Sequence, residues 1–124
     1  MKIQKSGEDY LEAILMLQIQ KGMVRSIDLA HHMGFSKPSI SHAVGILKKG
    51  DYLTVDQDGY LHLTDKGQEV AENIYEKHRF FTSYFINLGV DPTQAETDAC
   101  LIEHAISDES FQKMKASLQD TDEH

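Results

Sequence analysis

Apolar residues recur along most of this chain at three- and four-residue steps, which is the period of a helix. From Ser6 to Gln20 the stripe is Tyr10, Leu11, Ile14, Leu15 and Leu17, and it predicts a first helix with Ser6 as N-cap and acidic residues in its first turn. Asp9, Glu12 and Met16 share its other face. "SIDLAHHM" predicts a second helix opening at Ser26 and stopping at Gly34. "SKPSISHAVGILKKG" predicts a third, capped by Ser36, with Pro38 in its first turn and Gly50 at its end. Two short helices joined by a glycine-containing turn form a helix-turn-helix.

The period then changes. "DYLTVDQDGYLHLT" holds two short runs of β-branched and aromatic residues around an Asp-Gly, the pattern of a β-hairpin. A hairpin after a helix-turn-helix makes a winged helix. Thr64 caps a long fourth helix that ends at Gly89, with Val70, Ile74, Phe81, Tyr84, Phe85 and Leu88 as apolar positions. A fifth helix starts at Asp91-Pro92 and carries the polar stripe of Cys100, Glu103 and His104 opposite Ala95, Ala99, Ile102, Ala105 and Ile106. A sixth runs from Ser107 to about Leu118, and a frayed tail "QDTDEH" is expected after it. The expected fold is mainly α: an N-terminal winged helix-turn-helix over residues 1–64 and a helical metal-binding and dimerisation domain over residues 65–124.

Charge sharpens that division. The net charge is -8, yet residues 1–50 carry seven Lys/Arg against four Asp/Glu, while residues 65–124 carry thirteen acids against five bases. A mildly basic front and an acidic back suit a DNA-reading head on a body that binds cations or self-associates. With 124 residues there is room for one compact domain or two small ones, and not for a large enclosed active site. One cysteine makes no internal disulfide, and no signal peptide or membrane-length apolar run is apparent, so a cytoplasmic location and no membrane partner are expected.

If the third helix reads DNA, Ile40, Val44 and Leu47 pack inward, which leaves Lys37, Ser39, His42 and Lys49 to face a double-stranded operator. Ser36 and Ser41 can add phosphate-backbone contacts near the helix N-terminus. One recognition helix reaches few bases, so a homodimer reading two half-sites is expected. Phe80, Phe81, Tyr84, Phe85, Leu88, Leu101 and Ile102 exceed what two short helices can cover internally, which points to the fourth and fifth helices as the dimer surface.

Asp9, Glu12, His78, Cys100, Glu103 and His104 mix carboxylate, imidazole and thiolate donors, a set able to surround one or two divalent ions. Another reading fits the fifth helix equally: Cys100 as a small buried hydrophobe with Glu103 and His104 facing water. A hydrolytic metal site is the alternative of another class, but it has no separate general base and leaves the DNA-reading head unexplained.

Taken in order, "SGEDYLEAIL", "SKPSISHAV", "LTDKGQEVA", "KHRFF" and "DACLIEHAIS" resemble the diphtheria toxin repressor family of metal-dependent transcriptional regulators over nearly the whole chain. In length the chain is most similar to the two-domain manganese transport regulator branch. The resemblance implies a repressor that is not an enzyme. It implies metal contacts from Asp9, Glu12, His78, Cys100, Glu103 and His104, and binding of operators of metal-uptake genes when Mn²⁺ or Fe²⁺ (Zn²⁺ being a further option) links the two domains. Cys100 departs from the glutamate usual in the manganese branch, and Asp9 from the methionine usual in the iron branch. At the iron branch's second site, Thr82 replaces an acid and Glu96 a histidine. The alternative is a winged-helix regulator that answers a non-metal signal.

Overall fold

The computed structural model describes residues 5–122, with side chains described through Leu118. In chain order the elements are α1 (Lys5–Lys21), α2 (Ser26–Met33), α3 (Lys37–Lys49), β1 (Leu53–Val55), β2 (Leu61–Leu63), α4 (Asp65–Asn87), α5 (Pro92–Ile102) and α6 (Asp108–Asp122). They fall into two compact units, Met1–Tyr75 and Glu76–His124, with the division inside α4.

The first unit is a winged helix. Gly34 closes α2 in the left-handed conformation, φ 71°, and its N–H reaches the Ala30 carbonyl at 2.9 Å. Ser36 then opens α3, its Oγ accepting from the Ser39 N–H at 3.3 Å. On the inward stripe of α3, Ile40, Val44 and Leu47 meet a core of Leu11, Ile14, Leu17, Leu29, Leu53, Leu61 and Ala71, and Ala43 is buried beside them in sequence. β1 and β2 pair antiparallel with Leu53 opposite Leu63 and Val55 opposite Leu61. The segment before α2 is pinned to the hairpin by an isolated bridge: Arg25 pairs with Tyr60, and the Leu61 N–H donates to the Val24 carbonyl at 2.7 Å. At the wing tip, Asp56 Oδ1 accepts from the N–H groups of Asp58 (2.9 Å) and Tyr60 (3.0 Å), and its Oδ2 lies 2.8 Å from His62 Nε2. Those bonds, the one to His62 foremost, hold the Asp56 carboxyl below its ordinary pKa.

The start of α4 is locked to the turn after α3. Thr64 Oγ1 accepts from the Gly67 N–H at 3.0 Å and donates to the Asp51 carbonyl at 2.7 Å. Gly67 has no freedom to be anything larger, because a Cβ there would stand 1.9 Å from the Tyr52 carbonyl oxygen.

In the second unit α4, α5 and α6 meet around Phe81, Ala99 and Phe111, with Phe80, Phe85, Ile102, Ile106 and Met114 packed against them. Phe80 stands edge-on to both Phe81 and Phe111, centroids 5.2 and 5.3 Å away. Asp91 caps α5, its Oδ2 accepting from the N–H groups of Thr93 and Gln94.

Four expectations need correction. α1 already includes Lys5, so Ser6 lies inside the helix rather than capping it, and a Lys5–Asp9 pair at 3.7 Å braces that first turn. α5 stops at Ile102, so Glu103 and His104 lie in the turn that follows and not on a helical stripe. The reason is downstream: Ser107 caps α6, its Oγ accepting from the Ser110 N–H at 3.1 Å, and the chain must leave α5 before it. α6 continues to Asp122, beyond Leu118, while residues 123 and 124 of the expected tail lie outside the described residues. Finally, the apolar set assigned to a dimer surface divides: Phe81 is buried in the unit's own core, whereas Leu88 and Leu101 are 65% and 64% exposed.

Candidate metal centre

Glu103 is the pivot of the second unit. Its side chain is 1% exposed, and the turn after α5 sets it between two imidazoles. Oε2 lies 2.9 Å from His78 Nδ1, and Oε1 lies 3.3 Å from His104 Nε2. Oε1 is buried with no hydrogen bond among the described residues, so an acceptor in the interior retains capacity for an electropositive partner. Cys100, one turn before Glu103, places Sγ 3.7 Å from His78 Nδ1. Donor atoms of His78, Cys100 and Glu103 all fall within 4.8 Å of one another, close enough for one small cation to touch all three. Cys100 is exposed, so the reading of it as a buried space-filler is wrong. Glu96 Oε1 sits 3.9 Å from the other ring nitrogen of His78.

This donor set fits a divalent ion. A carboxylate buried beside two histidines and an accessible thiol is costly to maintain for packing alone, because each polar group gives up water. His78, Cys100, Glu103 and His104, read from sequence as one set, are thus brought together within the second unit. Asp9 and Glu12 stand a turn apart on α1 of the first unit, Glu12 buried and Asp9 half-buried.

A residue that sequence reasoning missed supports the turn. Lys77 is buried, and its Nζ donates to the Ile106 carbonyl at 3.4 Å and pairs with Asp108 at 2.8 Å. It ties both ends of the segment after Glu103 and His104 to α4, next to His78. Its signal was a lysine on the same helical face as Ile74 and Phe81, where an apolar residue belongs.

The second candidate surface lies on α3. Ser36, Lys37, Ser39, Ser41, His42 and Lys49 are all exposed, opposite the buried stripe. Ser36 also donates its hydroxyl to Ser39 Oγ at 3.0 Å, so both are occupied at the cap. On the wing, Arg25 stacks over Tyr60 at 4.4 Å, a second feature absent from the sequence reading.

A winged helix in one unit and a histidine, thiol and carboxylate cluster in the other define a class: DNA-binding regulators that respond to metal. Comparison with known proteins gives the family. Residues 2–63 match the iron dependent repressor N-terminal DNA binding domain, and residues 64–124 match the iron dependent repressor metal binding and dimerisation domain. The chain belongs to the iron dependent repressor family, whose members are regulators and not enzymes. It is 33% identical over 114 residues to the HTH-type transcriptional regulator MntR of Shouchella clausii, covering 92% of this chain and 80% of that protein. Against MntR of Listeria monocytogenes it is 32% identical over 119 residues, covering 96% and 84%. Among solved structures it is similar to the manganese regulator SloR, with a TM-score of 0.79 at 29% identity, covering 96% of this chain and 55% of that one. The metal-dependent transcriptional regulator MtsR gives 0.83 at 26%, covering 91% and 53%. The chain therefore spans about half the length of these solved relatives. Among the described residues no helix is long and apolar enough to cross a membrane.

Proposed function

We propose that this chain is a cytoplasmic, homodimeric repressor that binds operator DNA of metal-uptake genes when Mn²⁺ or Fe²⁺ is held by His78, Cys100, Glu103 and His104 together with Asp9 and Glu12. The observation that carries the reading is Glu103, buried between His78 and His104 with Cys100 beside them. A bound divalent cation supplies the positive charge that offsets this buried carboxylate. Residues 1–64 read DNA through α3, and residues 65–124 hold metal and dimerise, Leu88 and Leu101 contributing exposed apolar surface. Asp9 and Glu12 would add oxygen donors from α1 to the same ion, a shared ligation that would restrict the two heads of the dimer to one separation. DNA binding then no longer bears that ordering cost. By linkage, operator DNA tightens metal binding by the same factor.

The donor set also sets selectivity. Cys100 brings a soft thiolate to a site otherwise made of oxygen and nitrogen, which favours Fe²⁺ and Zn²⁺ over Mn²⁺ relative to a carboxylate in its place. Equilibrium dialysis tests this. Cys100→Glu is expected to keep or improve Mn²⁺ binding while Zn²⁺ affinity falls, and Cys100→Ala to weaken both. Unchanged affinities in Cys100→Ala would remove Cys100 from the site. On α3, His42→Ala and Lys37→Ala are expected to weaken operator binding with metal affinity intact.

A further inference from the structure

The outward stripe of α3 has a gap at its centre. Pro38, His42, Gly45 and Lys49 follow one another at i, i+4, i+7 and i+11, and all four are exposed. Gly45 lies in the middle of the helix, with an ordinary helical backbone that does not call for glycine. A Cβ added there would meet nothing within 4 Å. Packing therefore gives no reason for glycine, and helix propensity argues against it, since alanine loses less backbone freedom in a helix interior. Around the gap stand Ser41, His42, Lys48 and Lys49, all exposed, which together present a hydroxyl, an imidazole and two ammonium groups. Charge and donor chemistry of this kind match nucleic acid, and a bare stretch of backbone flanked by them lets a partner surface come closer than any side chain would allow.

We infer that Gly45 is the point of closest approach between α3 and the floor of the DNA major groove, and so a determinant of sequence-specific fit rather than of folding. The inference rests on the proposed reading of α3 as the DNA-reading helix. Phosphate contacts made by Lys48 and Lys49 tolerate a looser fit, whereas a base-edge contact by His42 depends on the depth at which the helix sits. A methyl group at position 45 would hold the helix off the bases and leave the lysines within reach of the backbone.

The test is Gly45→Ala in the full chain loaded with MnCl₂. Two duplexes are compared by fluorescence anisotropy: one selected from a random-sequence library by the unsubstituted protein, and one unselected duplex of equal length. We expect the melting temperature to rise by roughly 3 to 6 °C, affinity for the selected duplex to fall by about tenfold or more, and affinity for the unselected duplex to stay within about twofold. Equal affinity of both proteins for the selected duplex would overturn the inference and leave the regulator reading standing. A fall in melting temperature would also overturn it, because the glycine would then be serving the fold. Absence of any metal-dependent DNA binding by the unsubstituted chain would overturn both readings together.

Discussion

In the first unit the fully enclosed side chains are aliphatic: Leu11, Ile14, Leu29, Ile40, Leu53 and Leu61 sit against one another, with Glu12 the buried acid of α1. In the second, the enclosed apolar residues are few and aromatic-rich, and Lys77, Glu103 and the largely covered His78 and His104 share the interior with them. The first interior gains from water exclusion in proportion to area, without regard to ionic conditions. The second contains charges whose removal from water is repaid only by partners of the right sign and position. The contrast makes the body's interior, unlike the head's, sensitive to a charge of the right sign placed beside it.

The largest effect that should separate the units comes from the head. Leu29→Ala, which empties a position at 0% exposure, is expected to destabilise the protein by about 2 to 5 kcal/mol in urea unfolding. A loss below about 1 kcal/mol would mean that the aliphatic core is not what holds the head. Next comes metal. At free Mn²⁺ or Zn²⁺ a hundredfold above its dissociation constant, stability should rise by about 2.7 kcal/mol over the protein in EDTA, and Glu103→Gln should abolish most of the rise. An identical rise in that variant would place the ion elsewhere.

Lys77→Met is the third. It keeps the apolar stem and removes the ammonium that holds Ile106 and Asp108. Asp108 is largely exposed and returns to water, so the metal-free protein should lose only about 1 to 2 kcal/mol, while Zn²⁺ affinity should fall by about tenfold as the Glu103–His104 turn loosens. Unaltered affinity would show that the turn holds its donors without Lys77. The smallest effect is pH-linked and confined to the head. Asp28 is held below its ordinary pKa chiefly by Lys21 and then by the Arg25 N–H, and Asp56 by His62 and the wing backbone. A depressed carboxyl pKa contributes stability that is present above the unfolded value and lost as pH falls through the folded one. Acid unfolding monitored below about pH 4 should therefore be slightly less steep in Asp56→Asn, and an unchanged slope would mean that the Asp56 carboxyl is no better partnered in the folded state than in the unfolded one.

Much of this was legible because local chemistry decided it. Ser36 with Pro38, Thr64, Asp91 and the Asp-Gly of the wing each satisfy backbone groups that a helix end or turn would otherwise leave open, and each falls where the sequence placed it. The end of α5 was not legible, since no glycine or proline marks it. It is imposed by Ser107 and by Lys77, the latter 29 residues from the carbonyl it binds. The donor cluster was readable as residue types, and its geometry was not: His78 reaches Glu103 and Cys100 across 25 and 22 positions. The isolated bridge at Arg25 escaped notice because a single paired residue carries no period.

The central claim is that a cation held at Glu103 controls DNA binding by the head. It is tested most directly by anisotropy of a selected duplex titrated with the full chain, once in excess MnCl₂ and once in EDTA, for the unsubstituted protein and for Glu103→Gln. Metal is expected to tighten binding by about 5- to 150-fold in the unsubstituted protein, the usual range of coupling between sites, and to do almost nothing in the variant. Equal affinity for the duplex with and without metal in the unsubstituted protein would contradict the account.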